Sequence, residues 1–278
     1  MIICGGENFE LRRIVDSVHK VNVKNFKEAE DLSPMLGRRK QFIVACIKYE
    51  VYVLGGLDQR YNRLRTIDKY SIVSNTWERV AQIMFDGGKY KCACSLMDSI
   101  FVMGGRREDM TTSNSCMKLD TNTLKWSAIS NMTLRRKNAA CSTFEGRIVV
   151  TGGEGGEISA EMYDHIDDTW SMLPNMNHRR SYHTMVDVRD KLFVVGGSSV
   201  NNVEVFDSTC YNFTVMKSFP LEWFSYSDVV SIGNKLIKPG IVDQPTLVYD
   251  LDTEKWTSVF CGVTSKRGQF KCIKVPQL

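Results

Sequence analysis

Few side chains in this sequence have the types and spacing that catalysis or metal binding requires. The four histidines are His19, His165, His178 and His183, and the nine cysteines include no C-x-x-C pair. A zinc site needs ligands paired at short spacings, and the sequence has no G-x-S-x-G, Walker or HExxH motif. We therefore predict no catalytic residues, no metal and no cofactor, and a binding module rather than an enzyme.

The cysteines also predict a compartment. Their number is odd, and several stand in short apolar runs typical of strands. This usage is typical of reduced, buried thiols. We expect a cytoplasmic protein, with association to the cytoskeleton as one form of that location, and no membrane partner, because no apolar run approaches the length of a membrane span.

Basic residues stand in clusters whose chemistry suits acidic ligands. The clusters are residues 38–40, 135–137, 179–180 and 266–267, and a further pair, Arg106 and Arg107, directly follows two glycines. Arginine binds carboxylates and phosphates through paired hydrogen bonds. The net charge of +4 is too small to indicate a nucleic-acid partner. The clusters therefore predict a protein partner with an acidic or phosphorylated motif.

An alternative interpretation is that each recurring arginine is structural and bonds the carbonyl groups of neighbouring loops. It explains less well why the preceding residue is also basic at Arg38, Arg135 and Arg179. Gly88 and Phe224 interrupt the pattern. Beside Phe224, Trp223 and Tyr226 could anchor a partner, or Trp223 could fill the core of a repeat whose own tryptophan is replaced by phenylalanine.

The elements that position these clusters are internal repeats. Glycine pairs occur at residues 5–6, 55–56, 104–105, 152–153 and 196–197, each after a short apolar run, and a degenerate pair occurs at 239–240. In each later repeat an aromatic or apolar residue stands seven places before a tryptophan or its substitute, as in Tyr70 and Trp77. Each repeat therefore predicts four short strands, and a period of 43–50 residues predicts the blades of a β-propeller.

Double glycine, Tyr-Asp, spaced tryptophan and Met-x-x-x-Arg together resemble kelch repeats over essentially the whole chain. The resemblance implies an all-β, six-bladed kelch propeller occupying residues 1–278 as a single domain. MIICGG at the start reads as a second strand and RGQFKCIKV at residues 267–275 as a first strand. We expect these two strands to pair and complete the first blade.

The chain looks like the kelch domains of BTB-kelch substrate adaptors of cullin-RING ubiquitin ligases. By position, the resemblance implies that Arg39, Arg136, Arg180 and Arg267, with Arg106, contact the substrate, and we add Arg107, Trp223 and Tyr226. In that family the BTB and BACK domains bind the cullin. We expect neither domain in this chain, so a cullin would be reached only through domains outside it. The alternative function is an actin-binding, cytoskeletal kelch protein.

Overall fold

The computed structural model describes residues 1–278 except 9, 11, 27, 85–89, 199, 201, 217–227, 241–243, 262–266, 269 and 277–278, and it gives the backbone only for 267–268. The chain divides into two compact units. Unit 1 comprises Met1–Ile83 with Ser227–Leu278, and unit 2 comprises Met84–Tyr226. All regular structure in the described residues is β, so no helix there has the length and apolar character to cross a membrane.

Unit 1 holds three four-stranded antiparallel sheets and one small three-stranded sheet. The first sheet has the order β27-β1-β4-β5, from Lys271–Ile273, Ile2–Cys4, Val18–Val21 and Ala29–Leu32. The second runs β6 to β9, from Ile43–Ile47, Glu50–Leu54, Thr66–Ser71 and Thr76–Gln82. The third runs β22 to β25, from Val230–Ile232, Lys235–Lys238, Thr246–Asp250 and Lys255–Val259. The small sheet has the order β26-β2-β3, from Arg267–Gly268, Glu7–Asn8 and Arg13–Ile14.

Unit 2 holds three further four-stranded antiparallel sheets, each from one continuous segment. The first runs β10 to β13, from Cys92–Leu96, Ser99–Met103, Cys116–Asp120 and Trp126–Ile129. The second runs β14 to β17, from Ala140–Phe144, Arg147–Thr151, Ala160–Asp164 and Thr169–Leu173. The third runs β18 to β21, from Thr184–Val188, Lys191–Val195, Val203–Asp207 and Asn212–Val215.

These six four-stranded sheets are the six predicted blades and confirm the all-β, six-bladed propeller class. Closure of the first blade by the C-terminal strand is also confirmed. Ile2, Ile3 and Cys4 of β1 pair antiparallel with residues 271–273 of β27. The pairing gives the otherwise exposed edge of β1 a partner, which protects the sheet from edge-to-edge association.

The seven-residue offset between aromatic residue and tryptophan is the register of a β-hairpin. Tyr70 pairs with Trp77 across β8 and β9, and their ring centroids lie 5.0 Å apart. The Trp77 indole donates from Nε1 to the Ser33 carbonyl oxygen at 2.8 Å. Because Ser33 follows the last strand of the preceding sheet, the tryptophan joins two blades.

The glycine pairs lie where backbones approach closely. Gly104 has a φ of +65°, and a Cβ added there would lie 2.4 Å from the Arg136 carbonyl oxygen. Gly153 has a φ of +81°, and its added Cβ would lie 2.7 Å from the Lys137 carbonyl oxygen. Both conditions exclude other residue types, because a side chain disfavours this φ and the space is occupied.

Candidate functional site

Arg39, Arg136 and Arg180 are buried inside the blades. Their side chains are 0–2 % exposed, although arginine is rarely buried without a partner. Each stands four residues before the first strand of its sheet and reaches back to the glycine pair that follows the second strand. The repeat thus places a guanidinium group where the glycine turn leaves carbonyl groups in need of donors.

Arg136 shows how these cations are bound. Its Nη1 donates to the carbonyl oxygens of Gly152 at 2.7 Å and Ser159 at 3.1 Å. Its Nε donates to Glu161 Oε1 at 2.9 Å, and the Glu161 side chain is fully buried. Arg39 likewise binds the Gly55 carbonyl oxygen and Asp68.

Arg180 forms the same set of contacts, with the Gly196 carbonyl oxygen at 2.5 Å and Glu204 Oε1 at 3.0 Å. Burial lowers the pKa of Arg180, and the nearby Glu204 charge opposes that shift. Burial alone would raise the pKa of Glu204, but hydrogen bonds from Asn177 and the Arg180 charge hold it below its ordinary value. The pair therefore stays ionised.

These contacts correct the prediction that Arg39, Arg136 and Arg180 bind a partner. Their guanidinium groups are used by the chain's own carbonyls and carboxylates, and almost none of their surface is accessible. The alternative interpretation, that the recurring arginine bonds neighbouring loop carbonyls, describes all three.

The buried acids are a part of the motif that the sequence analysis missed. They stand two residues before the aromatic member of the tryptophan signature, as in Glu161 and Tyr163. In the two sheets where Gly88 and Phe224 replace the arginine, the acid position holds Met117 and Leu247. Each of the five sheets built from one continuous segment therefore has both the arginine and the acid or has neither. This is expected because burying either charge alone is costly.

Lys91 compensates for the arginine missing at Gly88. Its Nζ donates to the Gly104 carbonyl oxygen at 2.7 Å. Gly104 is the first glycine of its pair, like Gly55, Gly152 and Gly196, whose carbonyl oxygens accept from the buried arginines. A lysine directly before the first strand thus supplies the donor that this turn requires.

The residue before each buried arginine faces solvent. Arg38, Arg135 and Arg179 are exposed, and the Arg179 side chain is 78 % accessible. The doubling of basic residues therefore divides two roles between neighbours. The second arginine bonds groups inside the blade. The first keeps accessible surface, where Arg38 and Arg179 form ion pairs with Asp16 and Glu157.

In unit 2, Arg106, Arg107 and Arg135 gather around one loop, and we call them the arginine surface. Arg106 bridges to Thr112 beside the turn that follows β11. Arg135 Nη1 lies 3.5 Å from the Thr112 carbonyl oxygen. Arg106 and Arg107 are half-buried, so both keep accessible surface. Their partner-binding role stays a prediction.

Two tyrosines lie beside the arginine surface. The Arg106 guanidinium lies 5.4 Å from the centroid of the Tyr90 ring, and the Tyr90 and Tyr182 rings meet edge to face at 6.4 Å. Backbone hydrogen bonds from Asn138 to Tyr90 and from Tyr182 to Asn138 fix their positions. Half-buried aromatic rings next to arginine are the residue types that dominate binding energy at protein interfaces. Neither tyrosine had a distinctive sequence signal. Each follows its arginine position by two residues, but the same position in two other repeats holds Gln41 and Asn138.

The other predicted contact residues are only partly described. Arg267 lies in β26, paired with Asn8, and its side chain is outside the description. Trp223 and Tyr226 lie outside the described residues. Their proposed role stays a prediction.

The described residues contain no group of three or more histidine, cysteine or acidic side chains arranged to hold a metal ion. All nine cysteines are free thiols.

Burial lowers the pKa of His183 to about 3, with contributions from the Arg180 and Arg136 charges, so its ring is neutral at physiological pH. Its Nε2 lies 2.9 Å from Thr151 Oγ1.

Comparison with known proteins agrees with this architecture. The family model described as the KLHDC2/KLHL20/DRC7 Kelch-repeats domain matches residues 1–197. The chain belongs to the kelch-repeat family. Kelch-repeat domains are binding modules and not known enzymes.

Several kelch-like proteins, and proteins with kelch repeats and a BTB domain, are similar to this kelch domain at low identity. Kelch repeat and BTB domain-containing protein 2 of cowpox virus (strain GRI-90 / Grishak) is 25% identical over 207 residues, which are 69% of this chain and 30% of that protein. Kelch-like protein 25 of Xenopus tropicalis is 24% identical over 63% of this chain and 33% of its own length. Kelch-like protein 36 of Bos taurus is 24% identical over 81% of this chain and 40% of its own length. The kelch domain thus spans less than half the length of these relatives.

Proposed function

We propose that this kelch domain is a non-catalytic, protein-binding module that recognises the substrate of a cullin-RING ubiquitin ligase in the manner of a BTB-kelch adaptor. The names of the relatives support this reading, since they pair kelch repeats with a BTB domain or are kelch-like proteins. The cullin would be reached through domains other than this one, and the place of action would be the cytoplasm.

The observation that carries the proposal is the separation of buried from accessible arginines. The buried set bonds the chain's own carbonyls and carboxylates, whereas Arg106, Arg107 and Arg135 keep accessible surface from which a guanidinium group can donate to a ligand. Partly accessible guanidinium groups with Tyr90 beside them suit a short acidic segment, which would gain paired hydrogen bonds from arginine and apolar contact from the ring.

The test compares three forms of the domain as bait in a cell lysate. These are the natural domain, the variant R106Q/R107Q/R135Q, and the charge-matched control K24Q/K125Q/K255Q, whose lysines are exposed. A partner captured by the first form is identified, purified and titrated against all three. We expect the arginine variant to lose about tenfold or more in affinity and the control to change little.

Equal affinity of all three forms would refute the arginine surface as the recognition site. Co-sedimentation of the natural domain and of both variants with filamentous actin, without a lysate partner sensitive to the arginines, would refute the adaptor function and identify a cytoskeletal protein instead.

A further inference from the structure

A second group of arginines lies in unit 1. Arg12 and Arg13 stand at the β2–β3 connection, and Arg60 stands in the loop after β7. All three are exposed. Among the described residues, no carboxylate forms an ion pair with any of them.

One hydrogen bond holds the two segments together. The backbone N of Ile14 donates to Gln59 Oε1 at 2.8 Å. Arg13 directly precedes Ile14 and Arg60 directly follows Gln59, so this bond joins the two segments that carry these arginines, 45 residues apart in the chain. The contact is between a backbone and a side chain, so it leaves both guanidinium groups unused.

The loop that carries Arg60 is itself ordered by internal hydrogen bonds. Asp58 Oδ1 accepts from the backbone N atoms of Arg60 and Asn62, both at 2.8 Å. Asp58 Oδ2 accepts from Asn62 Nδ2 at 3.0 Å. The Asp58 carboxylate, the one acid in this loop, is therefore hydrogen-bonded within the loop. The same bonds hold the backbone on either side of Arg60 in place.

Tyr61 adds an aromatic ring that is exposed but anchored. Its side chain is 65 % accessible, and the Lys40 Nζ lies 4.5 Å from the ring centroid and 3.4 Å from the hydroxyl oxygen. The same Nζ lies 2.9 Å from Glu7 Oε2, so the nearby acid is neutralised by lysine. A fixed ring beside unpaired arginines offers a ligand both an apolar contact and charge.

We propose that Arg12, Arg13 and Arg60, with Tyr61, form a site for a phosphoserine- or phosphothreonine-bearing peptide segment. A phosphoryl group carries close to two negative charges and three strong acceptor oxygens, which matches several exposed arginines on two joined segments. Glu7, Asp16 and Asp58 stand in or beside the same two segments of the chain, whereas a nucleic-acid strand requires a continuous basic track. The site goes beyond the proposed function, because it uses other residues and requires a modified partner.

The test uses a fluorescein-labelled pool of degenerate nonapeptides with a central phosphoserine and an unphosphorylated twin pool. Anisotropy titrations compare the natural domain, R12Q/R13Q/R60Q and the charge-matched control K24Q/K125Q/K255Q. We expect the phosphorylated pool to bind the natural domain and the control about tenfold more tightly than it binds the arginine variant, since one to three charge-assisted hydrogen bonds are removed. The unphosphorylated pool should bind all three weakly.

Equal binding of the two pools, or an equal loss in the control, would overturn the proposal. Binding of a single-stranded DNA oligonucleotide or of vesicles containing phosphatidylserine, without binding of the phosphorylated pool, would overturn it in favour of another partner class. R106Q/R107Q/R135Q should still bind the phosphorylated pool, so failure of the substrate-adaptor function and failure of this site give different results. Circular dichroism checks that each variant is folded.

Discussion

Replacing Arg136 by methionine should destabilise the domain strongly. The change removes donors to the Gly152 and Ser159 carbonyl oxygens and leaves Glu161 buried without its counter-charge. Removing one partner of a buried ion pair costs about 3–5 kcal/mol in the free energy of unfolding. We therefore expect R136M to lower the free energy of unfolding by about 4 kcal/mol. The cost stays within this range because Glu161 keeps hydrogen bonds from the backbone N atoms of Thr133 and Leu134.

Urea unfolding followed by tryptophan fluorescence and circular dichroism measures this change. Arg135→Gln is the matched control. The Arg135 side chain is exposed, so this substitution should lower the free energy of unfolding by less than about 0.5 kcal/mol. The double variant R136M/E161Q removes the unpaired charge but keeps an acceptor for the Thr133 N–H, so it should regain about 1–2 kcal/mol over R136M. A cost below about 1 kcal/mol for R136M, or a double variant less stable than the single one, would refute the assignment of Arg136 as a structural cation.

Three further changes test other parts of the structure. Lys91→Met should cost about 1–3 kcal/mol in urea unfolding, because the Gly104 carbonyl oxygen loses a donor; a cost equal to that of Lys125→Met would contradict the compensating role. His183, with a pKa of about 3 in the folded state against 6.5 unfolded, binds its proton mainly when unfolded, so stability should fall as pH drops below 6.5 towards 3. Between pH 7.5 and 5 this loss is about 2 kcal/mol and should be absent in His183→Gln; identical pH slopes would show that the ring does not stay neutral. Gly153→Ala should cost more than Gly146→Ala, since both have positive φ but only Gly153 is crowded; equal costs measured by unfolding would show that close approach does not constrain the glycine pair.

The fold could be predicted from the sequence because its signals are local and repeated. The Tyr70 and Trp77 offset is a hairpin register, and the glycine pairs are turns that reject a side chain. Pairing of the chain ends followed from counting strands. Repetition makes each signal visible several times in one chain, so no single ambiguous segment decides the fold.

The candidate site was predicted less well, for a physical reason. An arginine in sequence gives its charge but not its burial, and Arg136 and Arg135 are neighbours with opposite environments. The buried arginines could have been recognised from the acid that stands two residues before the aromatic residue of the same repeat. An acid within an apolar strand needs a nearby cation, and the repeat-start arginine supplies it. The grouping of Arg13 with Arg60 depends on one long-range hydrogen bond, and nothing local in the sequence indicates it.

The adjacency of a buried and an exposed arginine has a consequence for how such a domain can diverge. Arg136 is buried and bonded inside the blade while Arg135 is exposed, so we expect substitutions at the two positions to be tolerated very differently although one peptide bond separates them. Drift at the positions of Arg38, Arg135 and Arg179 changes surface charge while the blades keep their internal cations. A lineage could therefore acquire new partners through single substitutions and never pass through an unfolded intermediate.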